Sequence, residues 1–142
     1  MDFLQPPGWA RARGYSNGIA ASGRSVHVSG MIGWDGQCTF HTDDFAGQVR
    51  QALQNVVDVL AEAGARPEHI VRMTWYVLDK KEYLAASKEV GEAYRDVIGR
   101  HFPAMTAVQV AGLIEDRARV EIEVTAVVPS GATSYQQDSK QR

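Results

Sequence analysis

Apolar and polar residues alternate along the end of this chain almost without a break. Ala118, Val120, Ile122, Val124, Ala126 and Val128 interleave with Arg117, Arg119, Glu121, Glu123 and Thr125. A period of two predicts a strand with one buried face and one chemically different face. On that second face two arginines precede two glutamates, and same-face neighbours on a strand lie about 6.5–7 Å apart. Glu121 and Glu123 therefore repel unless a cation, donor or ligand stands opposite. A carboxylate on a rigid strand can direct a water or a proton; a solvated, edge-charged strand face is the competing reading.

Upstream, residues 1–14 hold two prolines, Gly8, Trp9 and two arginines, and read as an extended arm. A short strand is expected over 19–21. Ser22-Gly23 then reads as a tight hairpin turn into a second strand, where Val26, Val28 and Gly30 alternate with Ser25, His27 and Ser29. Gly33-Trp34-Asp35-Gly36 ends it. From Asp44 the period becomes helical, with Phe45, Val49, Leu53, Val56, Leu60 and Ala63 on one face. Thr42, Asp43 and Asp44 supply capping oxygens, and Gly64 follows as the terminating residue.

Residues 70–78 are β-branched and aromatic, a third strand. Asp79 and Glu82 have the spacing of a capping box. They open a second helix with Leu84, Ser87, Gly91, Tyr94 and Ile98 on one side. Pro103 cannot continue it, so 104–110 form a fourth strand and the alternating segment a fifth. Residues 129–142 are polar, carry no periodic apolar positions and are expected to be disordered.

The order β-β-α-β-α-β-β predicts an α+β fold, with two helices covering one face of a mixed sheet. The other face would carry Tyr76 and Leu78, or Met105, Ala107 and Ala111, depending on register. An exposed apolar face of that kind predicts burial against another subunit.

Composition narrows the function classes. A chain of 142 residues is one domain, and 44% hydrophobic with 23% charged residues suits a globular protein. A net charge of -2 gives no general attraction to nucleic acid or an anionic membrane. No apolar run approaches the ~20 residues that span a bilayer, and residues 1–7 lack the features of a signal peptide. The lone Cys38 fits a reducing compartment, so a cytoplasmic location is expected. Cys38, between Gln37 and Thr39, has no sequence-adjacent base and reads as a loop cysteine. His27, His41, His69 and His101 show no zinc-ligand spacing. The glycines at 14 and 18 lack a phosphate-loop ending. No metal or cofactor is implied.

Several segments together resemble the RidA/YjgF (reactive-intermediate deaminase) family. They are Val28-Ser29-Gly30-Met31-Ile32, Gln48-Val49-Arg50-Gln51-Ala52-Leu53-Gln54-Asn55-Val56, the Ala63-Gly64 helix end, and Val71-Arg72-Met73-Thr74-Trp75-Tyr76-Val77. Phe102-Pro103-Ala104 and Val120-Glu121-Ile122-Glu123-Val124 complete the set, in order over residues 14–128. The resemblance implies a single domain over 1–128 with a chorismate-mutase-like fold. It also implies a homotrimer whose sheets pack around a central barrel, with small-molecule pockets at the subunit interfaces. Enzymes of the family hydrolyse reactive enamines and imines, releasing ammonia and a 2-keto acid. Members have also been called endoribonucleases; the acidic balance and absence of a basic stripe argue against an RNA role here.

In the family, an arginine directly after Pro-Ala grips the substrate carboxylate. A tyrosine of the N-terminal Gly-Tyr segment, a serine before the glycine of the second strand and a glutamate of the last strand complete the pocket. Those positions fall here on Met105, Tyr15, Ser29 and Glu121. Only Met105 is chemically different. Arginine binds a carboxylate through two charge-assisted hydrogen bonds, each contributing about 1.5–3 kcal/mol. Their loss implies about two orders of magnitude in affinity, and a thioether offers no charge in exchange. Simple 2-imino acids are therefore disfavoured, with Arg13, near Tyr15, as a candidate substitute cation.

The resemblance implies that Glu121 activates a water against an iminium carbon, while Ser29 and Tyr15 place the substrate. Met31 and Trp34 are expected to line the mouth beside Met105. Structural pairing of Glu121 with Arg119 or a neighbouring-strand cation is the alternative. Two functions follow. One is a RidA-like hydrolase of a labile enamine or imine that lacks the usual carboxylate. The other is a non-catalytic trimeric module holding a small, largely apolar metabolite or an enzyme partner in the same interface pocket.

Overall fold

In the computed structural model, which describes residues 1–130, strands β1 (Asp2–Leu4), β2 (Gly18–Ala20) and β3 (Arg24–Ile32) precede helix α1 (Phe45–Glu62). Strand β4 (Ile70–Val77), helices α2 (Lys80–Ala85) and α3 (Ser87–Val97), and strands β5 (Ala104–Gln109) and β6 (Val120–Val128) follow. The tail expected to be disordered lies outside the described residues, apart from Pro129 and Ser130. The main sheet runs β3-β6-β4-β5. β6 is antiparallel to both neighbours and β5 is parallel to β4, so the sheet is mixed and the fold is α+β.

Period-two patterning explains the core. Val120, Ile122, Val124, Ala126 and Val128 of β6 are all buried, alongside Met73, Trp75 and Val77 of β4. α1 lays Val49, Ala52, Leu53, Val56 and Leu60 over them, each fully buried. Its N-terminus is capped as expected: the Asp44 carboxylate accepts from Gly47 N at 2.9 Å. At the other end Gly64 (φ 69°) donates to Ala61 O and Ala65 donates to Leu60 O, a Schellman motif.

From the N-terminal arm Phe3 pairs with Ile19 in an antiparallel ladder between β1 and β2. Three expectations are corrected. β2 does not form a hairpin with β3. Gly23 (φ 146°) passes so close to the Val128 carbonyl that no side chain fits, and the chain leaves one sheet there to join another. The second helix is two helices. At Ala86 (ψ 13°) the chain offsets, although Ala86 N still donates to Glu82 O and Val90 N to Ala86 O. The reciprocal half of the Asp79 cap is also missing, since Glu82 pairs with Arg119 at 3.0 Å.

The third correction concerns the uncovered face. The observed register sets Met105 beside Met73 and Ala107 beside Trp75, on the helix side. The opposite face carries Arg72, Thr74 and Tyr76 from β4, Glu121, Glu123 and Thr125 from β6, and His27 from β3. Tyr76 is on that face, as in one of the two registers expected, and Val108 of β5, its neighbour there, is exposed, but the other side chains named are polar, so the face is less apolar than expected.

Candidate active site

β3 and β6 build one half of the site. Between Val28 and Met31 the register with β6 slips by one residue, so Ser29 and Gly30 bulge outward. A Cβ on Gly30 would stand 2.6 Å from Glu121 Cδ, so the glutamate side chain lies against bare backbone there. Glu121 is half-buried, and its carboxylate makes no hydrogen bond or ion pair among the described residues. The expected alternative partner, Arg119, has turned to Glu82. One step along the strand, Glu123 accepts from the Tyr76 hydroxyl at 2.5 Å, and this bond raises the Tyr76 pKa above the ordinary phenol value.

β5 and the N-terminal segment build the other half. Ser16 N donates to Pro103 O at 3.0 Å and Ser16 Oγ to Phe102 O at 2.5 Å, hooking the segment onto the start of β5. Tyr15 is thereby brought into one cleft with Met105, and Arg13 lines it as well. The cleft encloses about 620 Å³ on the helix side of the sheet. Trp75, Tyr83, Tyr94 and Phe102 give it aromatic walls, and Ser87, Gly91 and Arg95 come from α3. Burial pushes the phenols of Tyr83 and Tyr94 up, so both stay neutral at ordinary pH. The Tyr94 hydroxyl is fixed by donation to His101 O at 2.6 Å.

Within one chain the two halves do not meet. Met105 faces the helices from one edge strand, whereas Ser29 sits on the other edge strand and Glu121 faces away from the helices. Edge to edge, three strand spacings amount to about 14 Å. Within the chain, Met31 and Trp34 lie on the Ser29 side of the sheet. Met31 packs on the core, and Trp34 lies 5.7 Å from Phe40 in the loop after β3. Alternation could not show this, because it assigns faces within a strand but not the order of strands.

Sequence reasoning missed Arg95 and Trp75 as cleft residues, and it missed Gln48 as the device that fixes the start of β6. The Gln48 amide is wholly buried. It donates to Thr42 O and Arg117 O at 3.1 and 3.0 Å and accepts from Arg119 N at 2.9 Å. Asn55 does the same for the end of β3, donating to Ile32 O and Trp34 O. Among the described residues no three His, Cys, Asp or Glu side chains converge as a metal site, and no helix is long and apolar enough to cross a membrane.

A mixed α+β sheet with a bulge-seated glutamate and a tyrosine-lined edge cleft defines a recognisable class. Residues 8–128 match the endoribonuclease L-PSP family model. The human 2-iminobutanoate/2-iminopropanoate deaminase is 32% identical over 116 residues, covering 80% of this chain and 79% of that protein. Among solved structures, YyfB from Yersinia pestis, a Rid-family protein of unknown function, superposes with a TM-score of 0.79. It is 27% identical and covers 89% of this chain and 98% of its own. TdcF of E. coli, solved with bound serine, gives a TM-score of 0.63 at 29% identity, over 84% of this chain and 91% of its own. The chain belongs to the endoribonuclease L-PSP family, the RidA/YjgF proteins.

Proposed function

We propose that this protein hydrolyses a labile enamine or imine in a pocket shared between protomers, with Glu121 activating the water. One observation carries the reading. Glu121 is held against Gly30 beside Ser29, half-buried, with its charge uncommitted to any cation among the described residues. A merely solvated strand glutamate needs no fixed seat; one kept for proton transfer needs a fixed place and a free carboxylate.

The chemistry balances on that single group. Water gives a proton to Glu121 as its oxygen attacks the carbon of the protonated imine, forming a carbinolamine. The proton then passes from Glu121 to the nitrogen; as the C–N bond breaks, Glu121 takes the hydroxyl proton, leaving a carbonyl product, and then gives that proton to the departing ammonia or to solvent. An enamine enters the same route after protonation at carbon. Ser29 and Tyr15 hold the substrate by hydrogen bonds.

Met105 and Glu121 lie on opposite faces of the sheet, so a substrate that touches both must sit between two chains. The homotrimer implied by the family resemblance supplies such a junction. Tyr15 and the β5 edge of one protomer would face Ser29 and Glu121 of the next. With methionine at 105, the small 2-imino acids in the human relative's name are poor candidates for the substrate.

The test is ammonia release from 2-iminobutanoate and from neutral imines. The expected outcome is turnover of the neutral imines, lost by about 10²–10⁴ in Glu121→Ala. Met105→Arg should gain about two orders of magnitude on 2-iminobutanoate. Efficient turnover of 2-iminobutanoate by the unaltered protein would refute the role given to Met105. Absence of turnover on every imine would leave a non-catalytic binding module, and a monomer in solution would remove the shared pocket.

A further inference from the structure

The face of the sheet turned away from the helices carries a second, smaller hollow. His27 of β3, Arg72 and Thr74 of β4, and Glu123 and Thr125 of β6 line it, and it encloses about 240 Å³. That is below the ~300–1,000 Å³ of sites for drug-sized molecules, so its occupant is small. Neither Glu121 nor any residue of the Met105 cleft lines it.

The register puts the donors of this hollow in one row. Thr125 is paired with His27 on one side and with Arg72 on the other. Directly opposed side chains on neighbouring strands have Cβ atoms about 4.5–5.5 Å apart. An imidazole and a guanidinium therefore flank a hydroxyl, and Thr74 adds a second hydroxyl one step along the same face of β4. None of these four side chains makes a hydrogen bond or ion pair among the described residues. Arg72 can present two parallel N–H groups to an oxyanion, His27 a ring N–H, and each threonine an O–H.

One acid shares the hollow. Glu123 lies opposite Thr74 and so diagonally from Arg72, yet the two do not pair. The Tyr76 hydroxyl, on the other side of Thr74, donates to Glu123 Oε1 at 2.5 Å and draws the carboxylate away from Arg72. Glu123 Oε2 keeps its acceptor capacity among the described residues. A carboxylate beside an anion is repulsive unless the anion has a proton to donate to it. Hydrogen phosphate has one. Sulfate has none, and neither has the dianion of a phosphate monoester, which loses its last proton at a pKa of ~6.

We infer that this hollow binds inorganic phosphate in a protonated form, its oxygens on Arg72, His27, Thr74 and Thr125 and its P–OH donating to Glu123. Arg72 supplies the charge that holds the anion, and Glu123 sets the choice among anions. The inference goes beyond the proposed hydrolysis and uses none of its residues.

Isothermal titration calorimetry on the full chain at about pH 8 compares hydrogen phosphate, sulfate and methyl phosphate, dianions of which only the first carries an O–H. Hydrogen phosphate should bind saturably at one equivalent per chain, and the other two at least about tenfold more weakly. Arg72→Gln should weaken phosphate binding by at least about tenfold. Glu123→Gln should erase the preference for phosphate, because an amide both donates and accepts and carries no charge. Both residues are exposed, so both variants should keep the native circular dichroism. Absence of saturable phosphate binding would overturn the inference. So would equal binding of sulfate, the mark of an adventitious ion only, phosphate binding unchanged in Arg72→Gln, or a preference kept in Glu123→Gln.

Discussion

Glu121 lies against Gly30 so closely that a methyl group on the glycine would stand 2.6 Å from Glu121 Cδ. The bulge in β3 and the carboxylate of β6 are thus one device: the extra residue turns bare backbone toward the glutamate, and the glutamate settles there. Gly30→Ala is expected to displace the carboxylate without disturbing the core, because Gly30 is exposed. Ammonia release should fall toward that of Glu121→Ala, by a factor of at least about 10², with little change in melting temperature. Steady-state kinetics beside a thermal melt decide it. Unchanged activity in Gly30→Ala would mean that the seat does not position Glu121.

Gln48 is the buried polar residue on which the approach to β6 depends. Its amide joins Thr42 O, Arg117 O and Arg119 N, and Gly33 leaves it room: a Cβ there would meet Gln48 Cβ at 2.6 Å. Replacing it by leucine, similar in volume, strands backbone groups in the interior. Gln48→Leu should destabilise the protein by about 2–4 kcal/mol, read from urea denaturation. Since Arg119 N lies two residues before Glu121, the residual folded protein should also lose activity.

How much of this was legible in the sequence depended on whether the information was local. α1 followed directly from the spacing of Phe45, Val49, Leu53, Val56 and Leu60, and Gly64 marked its end because a left-handed residue there favours glycine. Glu121 stood out because alternation made its strand unmistakable. The pairing of β2 was not legible. Ser22-Gly23 has the composition of a hairpin turn, yet the close approach that requires Gly23 is to Val128, over a hundred residues away in the chain.

The cleft was half legible for a related reason. Leu84, Ser87, Gly91, Tyr94 and Ile98 were recognised as one side of a helix, but Ile98 enters the core, Leu84, Ser87 and Gly91 line the cleft, and Tyr94 does both. Periodicity marks a stripe that turns inward; it does not distinguish packed interior from the wall of a cavity. Arg95 lies off that stripe and joins the cleft only because Gly91 has no side chain to keep it away.

Gly91 has a separate consequence for stability. It sits in the interior of α3, and the only atom a Cβ would meet is the mobile end of Arg95, at ordinary contact distance. Glycine in a helix interior is less favourable than alanine by about 0.8–1.0 kcal/mol. Gly91→Ala should therefore raise stability by up to about 1 kcal/mol, seen as a higher denaturation midpoint at unchanged slope. A loss of stability would show that Arg95 cannot yield.

His69 should make the protein lose stability on mild acidification. Burial, the largest influence, lowers its imidazole pKa below the ordinary 6.5, with Arg66 and His101 adding to the effect and Glu68 opposing it. The folded state thus favours neutral His69, whose Nδ1 accepts from Arg66 N at 2.9 Å across the short 3₁₀ turn Pro67–His69. A lowered base pKa means that the unfolded chain binds the proton more readily. The contribution to stability is then complete above the unfolded value near 6.5 and is lost as pH falls through the folded-state value. Protonation also places a hydrogen on the nitrogen that must accept, so the turn leading into β4 loosens at the same step. The melting temperature of the unaltered protein should drop between pH 7.5 and pH 5.5 by more than that of His69→Asn, which lacks the titrating group. Parallel curves for the two proteins would show that His69 is not the sensitive residue.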